Sequence, residues 1–222
     1  MINLLLQGQI AVFFIILIAI VISLTFHEFG HAITAKFFGD DTAQKAGRLT
    51  LNPLAHIDPA GLLMVAIIGF GYAKPVPTNP HKFNSSWAGM LVSAAGPAMN
   101  LLIAMVAINF YAWGLAADWN LVQGDGAQLF FVYLALINLV LMIFNLIPIG
   151  ALDGHYILPY FLPEKTARAY RHWNNQYGNQ ILLGLMVLSL FGVPVFSYIR
   201  DFGQALLPLI TFIKPEHFTP IL

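Results

Sequence analysis

Long apolar stretches alternate along this chain with links that hold most of its charge. The first stretch covers about residues 4–38, with apolar density highest over 10–26. Three more cover about 87–117, 127–149 and 179–199. A membrane-crossing helix takes about 20 apolar residues, and each of the four is long enough. The pattern predicts an all-α membrane protein, a multi-span bundle of about four spanning helices. Two shorter apolar pieces do not reach that length. Residues 61–72 are too few for a comfortable span, and residues 202–213 are expected as a half-buried terminal helix.

The link over residues 40–86 is too long for a plain turn. GRLTLNPLAHIDPAG alternates briefly between apolar and polar positions, then breaks at Pro59 and Gly61. GFGYAKPVPTNP carries three closely spaced prolines, which favour extended or turn backbone over helix. Irregular backbone at membrane depth survives only when it is buried in protein or faces a wet cavity. A re-entrant or hairpin segment between the first two spans is therefore expected.

Composition agrees. The chain has 222 residues, of which 59% are hydrophobic and 9% charged, against about 25% charged in soluble domains. Size favours one integral membrane domain over 1–222, with a core over about 8–158 and a C-terminal helical extension over about 159–222. Lys36, Lys45, Arg48, Lys74 and Lys82 fall in and beside the first link, none in residues 118–126, and Lys165, Arg168 and Arg171 in the third link. By the positive-inside rule the N-terminus lies outside and both basic links lie in the cytoplasm. Arg200 and Lys214 leave the tail ambiguous. The first apolar stretch has no positive n-region and is read as retained rather than as a cleaved leader. Net charge is zero, and no basic patch suggests nucleic acid.

The chain has no cysteine, so any metal site must use His, Asp or Glu. His27, Glu28 and His31 form H-E-x-x-H at the end of the first apolar stretch. On a helix, residues four apart share a face. Two imidazoles there can bind one zinc ion, with the Glu reaching a water on the metal. Zinc lowers the pKa of such a water to about 7. Ionisable groups near the membrane interior are costly and mark functional sites. A catalytic zinc needs a third protein ligand. Asp153, within NLIPIGALDG, is preferred on spacing because the third span breaks there at Pro148 and Gly150. His155, His56 and Asp58 are the alternatives. His81, His172 and His217 read as solvated residues, and Tyr170, Trp173 and Tyr177 as an interfacial aromatic belt.

These residues resemble the site-2 protease family of intramembrane zinc metalloproteases. HEFGH at 27–31, AGPAMN at 95–100, NLIPIGALDG at 145–154 and GYAKPVPTNP at 71–80 carry the likeness, which covers most of residues 8–158. The resemblance implies a minimal, short bacterial-type member in the inner membrane, with its active site near the cytoplasmic side. It implies His27, His31 and Asp153 as zinc ligands, Glu28 as general base, and Asn145 as the residue that orients substrate or stabilises the oxyanion. Asn100 would support the site from the second span. Gly71, Tyr72, Ala73, Lys74 and Pro75 would offer a sheet edge to an extended substrate. The expected partners are a membrane-protein substrate, the lipid bilayer and, through the fourth span and tail, a second copy of the chain. Two other classes compete: a metal or proton transporter, for which no paired repeats are found, and an inactive scaffold, against which the intact base and ligands argue.

Overall fold

In the computed structural model the chain is described over residues 1–69, 71–194 and 196–213. Phe70 of the proline-rich segment, and Lys214 and His217 of the tail, lie outside the described residues. The helices are α1 (Ile2–Leu6), α2 (Ile10–Phe37), α3 (Thr42–Lys45), α4 (Pro53–His56), α5 (Pro59–Ile68), α6 (Ala88–Ala116), α7 (Asp125–Asn145), α8 (Asp153–Ile157), α9 (Glu164–Trp173), α10 (Asn179–Leu190) and α11 (Ser197–Ile210).

Among the described residues, three helices are long and apolar enough to cross a membrane: α2, α6 and α7, with 28, 29 and 21 residues. They pack on one another, and α11 lies along α7. Small residues bring them close. Ala19, Ala104, Ala107 and Ala135 are buried in the core with Ile108, Val132 and Leu139. This is how membrane helices gain packing where lipid removes any hydrophobic drive between them.

The fourth expected span, residues 179–199, is divided. Its helix begins earlier, at Glu164, runs through a π turn at Asn174–Gly178, and stops at Leu190. Gly192 then takes a left-handed φ of 89°, and Pro194 cannot continue a helix. The chain restarts as α11, a separate amphipathic piece that begins five residues before the expected terminal helix, 202–213, and ends three residues short of it.

The long first link folds back on itself. Asn52 caps α4, and Asp58 caps α5 by accepting from the Ala60 and Gly61 N–H groups, with Pro53 and Pro59 at the first helical positions. After α5 the chain returns extended. It makes one antiparallel bridge, Ile57 to Ala73, with Lys74 N donating to His56 O at 2.8 Å. Gly61 permits this, since a Cβ there would meet the Tyr72 carbonyl oxygen. The expected hairpin is thus a short helix and an extended return strand, joined by a single bridge.

Candidate metal centre

His27 and His31 lie one turn apart on α2, with their Nε2 atoms 3.1 Å apart. Asp153 opens α8. It reaches them because α7 ends at Asn145 and the chain turns sharply through Pro148 and Gly150. Asp153 Oδ2 is 3.3 Å from His27 Nε2, and Oδ1 is 3.4 Å from His31 Nε2. The three ligand atoms lie within 4.8 Å of one another.

The donor set fits a metal for a reason beyond distance. His27 Nδ1 lies 2.7 Å from Asn100 Oδ1, and His31 Nδ1 lies 2.7 Å from the Val92 carbonyl oxygen. Both partners are acceptors, so each Nδ1 carries the proton. In the neutral rings that ligate metal, both Nε2 lone pairs then face the same point. The buried Asp153 Oδ2 faces it too, with no hydrogen-bond partner. Three electron-pair donors converging on one spot could hold a cation. Gly96 on α6 keeps that spot clear: a Cβ there would land on His31 Nε2 and come within 2.6 Å of His27 Cε1.

Behind the imidazoles lies a satisfied polar layer. Asn100 Nδ2 donates to Ser23 O at 3.2 Å and to Asn138 Oδ1 at 2.8 Å. Asn138 Nδ2 donates to Ser23 Oγ at 2.7 Å and to Leu134 O at 2.8 Å. Ser23, Asn100 and Asn138 are fully buried. Such outer partners fix the ring orientation of metal-binding histidines. The structure puts Asn100 directly behind His27.

Glu28 is buried next to His27 and accepts from Val76 N–H at 3.0 Å. Arg48, also buried, has its Nη2 3.9 Å from Glu28 Oε2. Burial pushes the guanidinium down from its usual range, and the Glu28 carboxylate opposes that. The proline-rich return strand therefore lies against the glutamate. Asp40 holds it further along, accepting from Asn79 N–H at 2.6 Å.

Other expected residues fall elsewhere. Asn145 donates to its own helix, at Leu141 O, 3.0 Å away. Asp58 is a helix cap. His56 is fully buried beside Arg48, with Nε2 2.7 Å from Thr50 O. His155 turns away from the ligands to Tyr170 Oη at 3.2 Å, and burial and Arg171 lower its pKa. Tyr170 leaves the expected aromatic belt and donates to Pro148 O at 2.8 Å. Trp173 and Tyr177 are exposed, as that belt requires. Sequence reasoning missed Ser23, Asn138 and Arg48 as site residues. For Asn138 the signal was available, an amide in the middle of LALINLVLM.

A helical membrane bundle with H-E-x-x-H and a converging aspartate defines a class: a membrane-embedded zinc metalloprotease. The model of peptidase family M50 matches residues 15–116 and 115–189, and the chain belongs to that family. It is 39% identical over 189 residues to a Bacillus subtilis (strain 168) protein named "Putative zinc metalloprotease YwhC", covering 83% of each chain. It is 31% identical over 189 residues to "Putative zinc metalloprotease Rip2" of Mycolicibacterium smegmatis, covering 81% of this chain and 69% of that one. No solved structure gives a significant match.

Proposed function

We propose that this protease hydrolyses peptide bonds in or near the membrane-spanning segments of other membrane proteins, close to the cytoplasmic face of a bacterial inner membrane. The observation that carries this is the depth of the ligand cluster. His27 lies ten residues before the end of α2, or about 15 Å along its axis, within the stretch that spans. In this reading His27, His31 and Asp153 hold zinc and Glu28 is the general base. Zinc bound there supplies Lewis acidity and lowers the pKa of water. Glu28 accepts a proton from the attacking water as the new C–O bond forms, and delivers it to the leaving amine nitrogen as the C–N bond breaks. Asn145 spends one amide hydrogen on Leu141, which leaves a second for the developing negative charge.

Two cavities support the reading. One of about 780 Å³ is lined by Asn84, Ser85, His155, Tyr160, Arg171 and Asn175. It draws on both basic links and touches α8, the helix that Asp153 opens, at His155 and Tyr156. An apolar one of about 320 Å³ runs between α2 and α7, along Ile20, Leu24, Leu136 and Val140, and ends at Gly71. An unwound apolar substrate segment suits it. In a bridge of this register the N–H and C=O of Ala73 point away from Ile57. The strand edge available to substrate is then Gly71, Tyr72 and Ala73, since the Lys74 and Pro75 carbonyls are already engaged by Arg48.

The test uses the full chain in lipid vesicles with a single-span substrate. Wild type is expected to cleave it, and Glu28→Gln is expected to bind zinc normally and cleave nothing. Cleavage by Glu28→Gln, or zinc flux across the vesicle by wild type, would remove the proposal.

A further inference from the structure

Between Lys74 and Thr78 the backbone has one N–H donor, because Pro75 and Pro77 have none. That donor, Val76 N–H, is spent on Glu28 Oε2. The preceding carbonyls are spent as well. Arg48 Nη1 donates to Pro75 O at 3.0 Å, and Nη2 donates to Lys74 O. The same Nη2 faces Glu28 Oε2 at 3.9 Å. One planar guanidinium therefore straddles two consecutive carbonyls of the return strand and faces the carboxylate that holds the next residue.

The guanidinium is itself aimed. Thr50 O can only accept, so His56 Nε2 carries the proton, and the Nδ1 lone pair faces Arg48 Nη2 at 3.5 Å. A buried cation is costly unless paired and hydrogen-bonded. Arg48 meets two carbonyls, an imidazole lone pair and a carboxylate at one end. Its Nε remains buried without a partner. Packing alone would be served more cheaply by an apolar side chain.

We propose that Arg48 is a positioning residue for Glu28 and for the return strand, tying them into one unit. With Val76 N–H and Arg48 on Oε2, Oε1 is the oxygen assigned to the proton it must take. The strand that carries the substrate edge is set at a fixed height beside it. A shift of the strand then becomes a shift of the base. This inference rests on reading Glu28 as the base.

The experiment compares Arg48→Gln and Arg48→Lys with wild type, as full chains in vesicles, by three readouts. These are zinc per chain, hydrogen exchange over residues 71–79, and kcat and KM for a single-span substrate. Arg48→Gln should keep its zinc, exchange faster over 71–79, and lose about 100-fold in kcat, as for a reacting group displaced by about 1 Å. KM should change far less. Arg48→Lys restores the charge without the fork and should recover part of the loss. Wild-type kcat in Arg48→Gln, unchanged exchange over 71–79, loss of kcat only together with zinc in both variants, or a Lys variant no better than Gln would each overturn the proposal. These outcomes differ from failure of the protease reading, in which wild type itself does not cleave, and which would take this inference with it.

Discussion

The two sides of the HEFGH turn are built by different means. On the metal side, His27 and His31 are held by side chains and a carbonyl from neighbouring helices: Asn100 and Val92 on α6, with Asn138 on α7 behind them. On the base side, Glu28 is held by one main-chain N–H of an extended strand, that of Val76, and by Arg48 from a loop. Helices give the metal side a fixed geometry at every turn. The base side depends on a strand joined to its neighbour by one bridge. Under the proposed roles, the histidines that ligate the metal have to stay where they are, whereas the strand that accepts substrate has to be reachable.

If the two sides are independent, each can be broken alone. The largest effect should come from Asp153→Ala, which removes one of the three proposed ligands. Zinc should be lost on metal analysis and cleavage should fall below detection, while hydrogen exchange over residues 71–79 stays at the wild-type rate. Asn100→Leu comes next. It unseats the His27 ring without touching a ligand, and zinc affinity should weaken about 10- to 100-fold, the usual cost of losing such a partner. On the other side, Asp40→Asn weakens the hold on Asn79 and Thr42. Unfolding stability should drop by about 2 kcal/mol, the scale of a hydrogen bond to a charged group, with faster exchange over 71–79 and unchanged zinc content.

The smallest effect concerns pH at the far end of the same strand. Hydrogen bonds from Lys45 and Lys82 hold the Asp41 carboxyl down at about 2, against 3.8 when free. A carboxylate whose pKa is depressed by folding stabilises the fold above its unfolded value, and that stabilisation is lost as pH falls through the folded value. The gap in unfolding midpoint between wild type and Asp41→Asn should be constant above pH 3.8, narrow below it, and close near pH 2. A gap that widened on acidification would contradict the arrangement.

The same contrast explains what could be read from the sequence. The metal side is written in helix periodicity. His27 and His31 are four apart, and Asp153 follows a proline and a glycine that must end a span. Hydrophobic length placed α2, α6 and α7 to within a few residues. Length misjudged the fourth segment, because Gly192 and Pro194 interrupt an apolar run without adding a charge. Arg48 was hidden by its company. In sequence it is one of several basic residues that set orientation, and only the fold turns it inward. The contacts of Val92 and Val76 are main-chain groups, which no side-chain pattern reports.

One further contact decides what cutting the chain does. Asn174 grips Gly150 twice: Gly150 N–H donates to Asn174 Oδ1 at 2.8 Å, and Asn174 Nδ2 donates to Gly150 O at 2.9 Å. Gly150 sits three residues before Asp153. A protease nick between Leu162 and Pro163 would leave this clasp in place, and the two fragments would still share it. A stop codon at the same point would remove it and let go of the loop that aims Asp153. Nick and truncation leave the same N-terminal fragment on a denaturing gel, yet for Asp153 they are opposite operations.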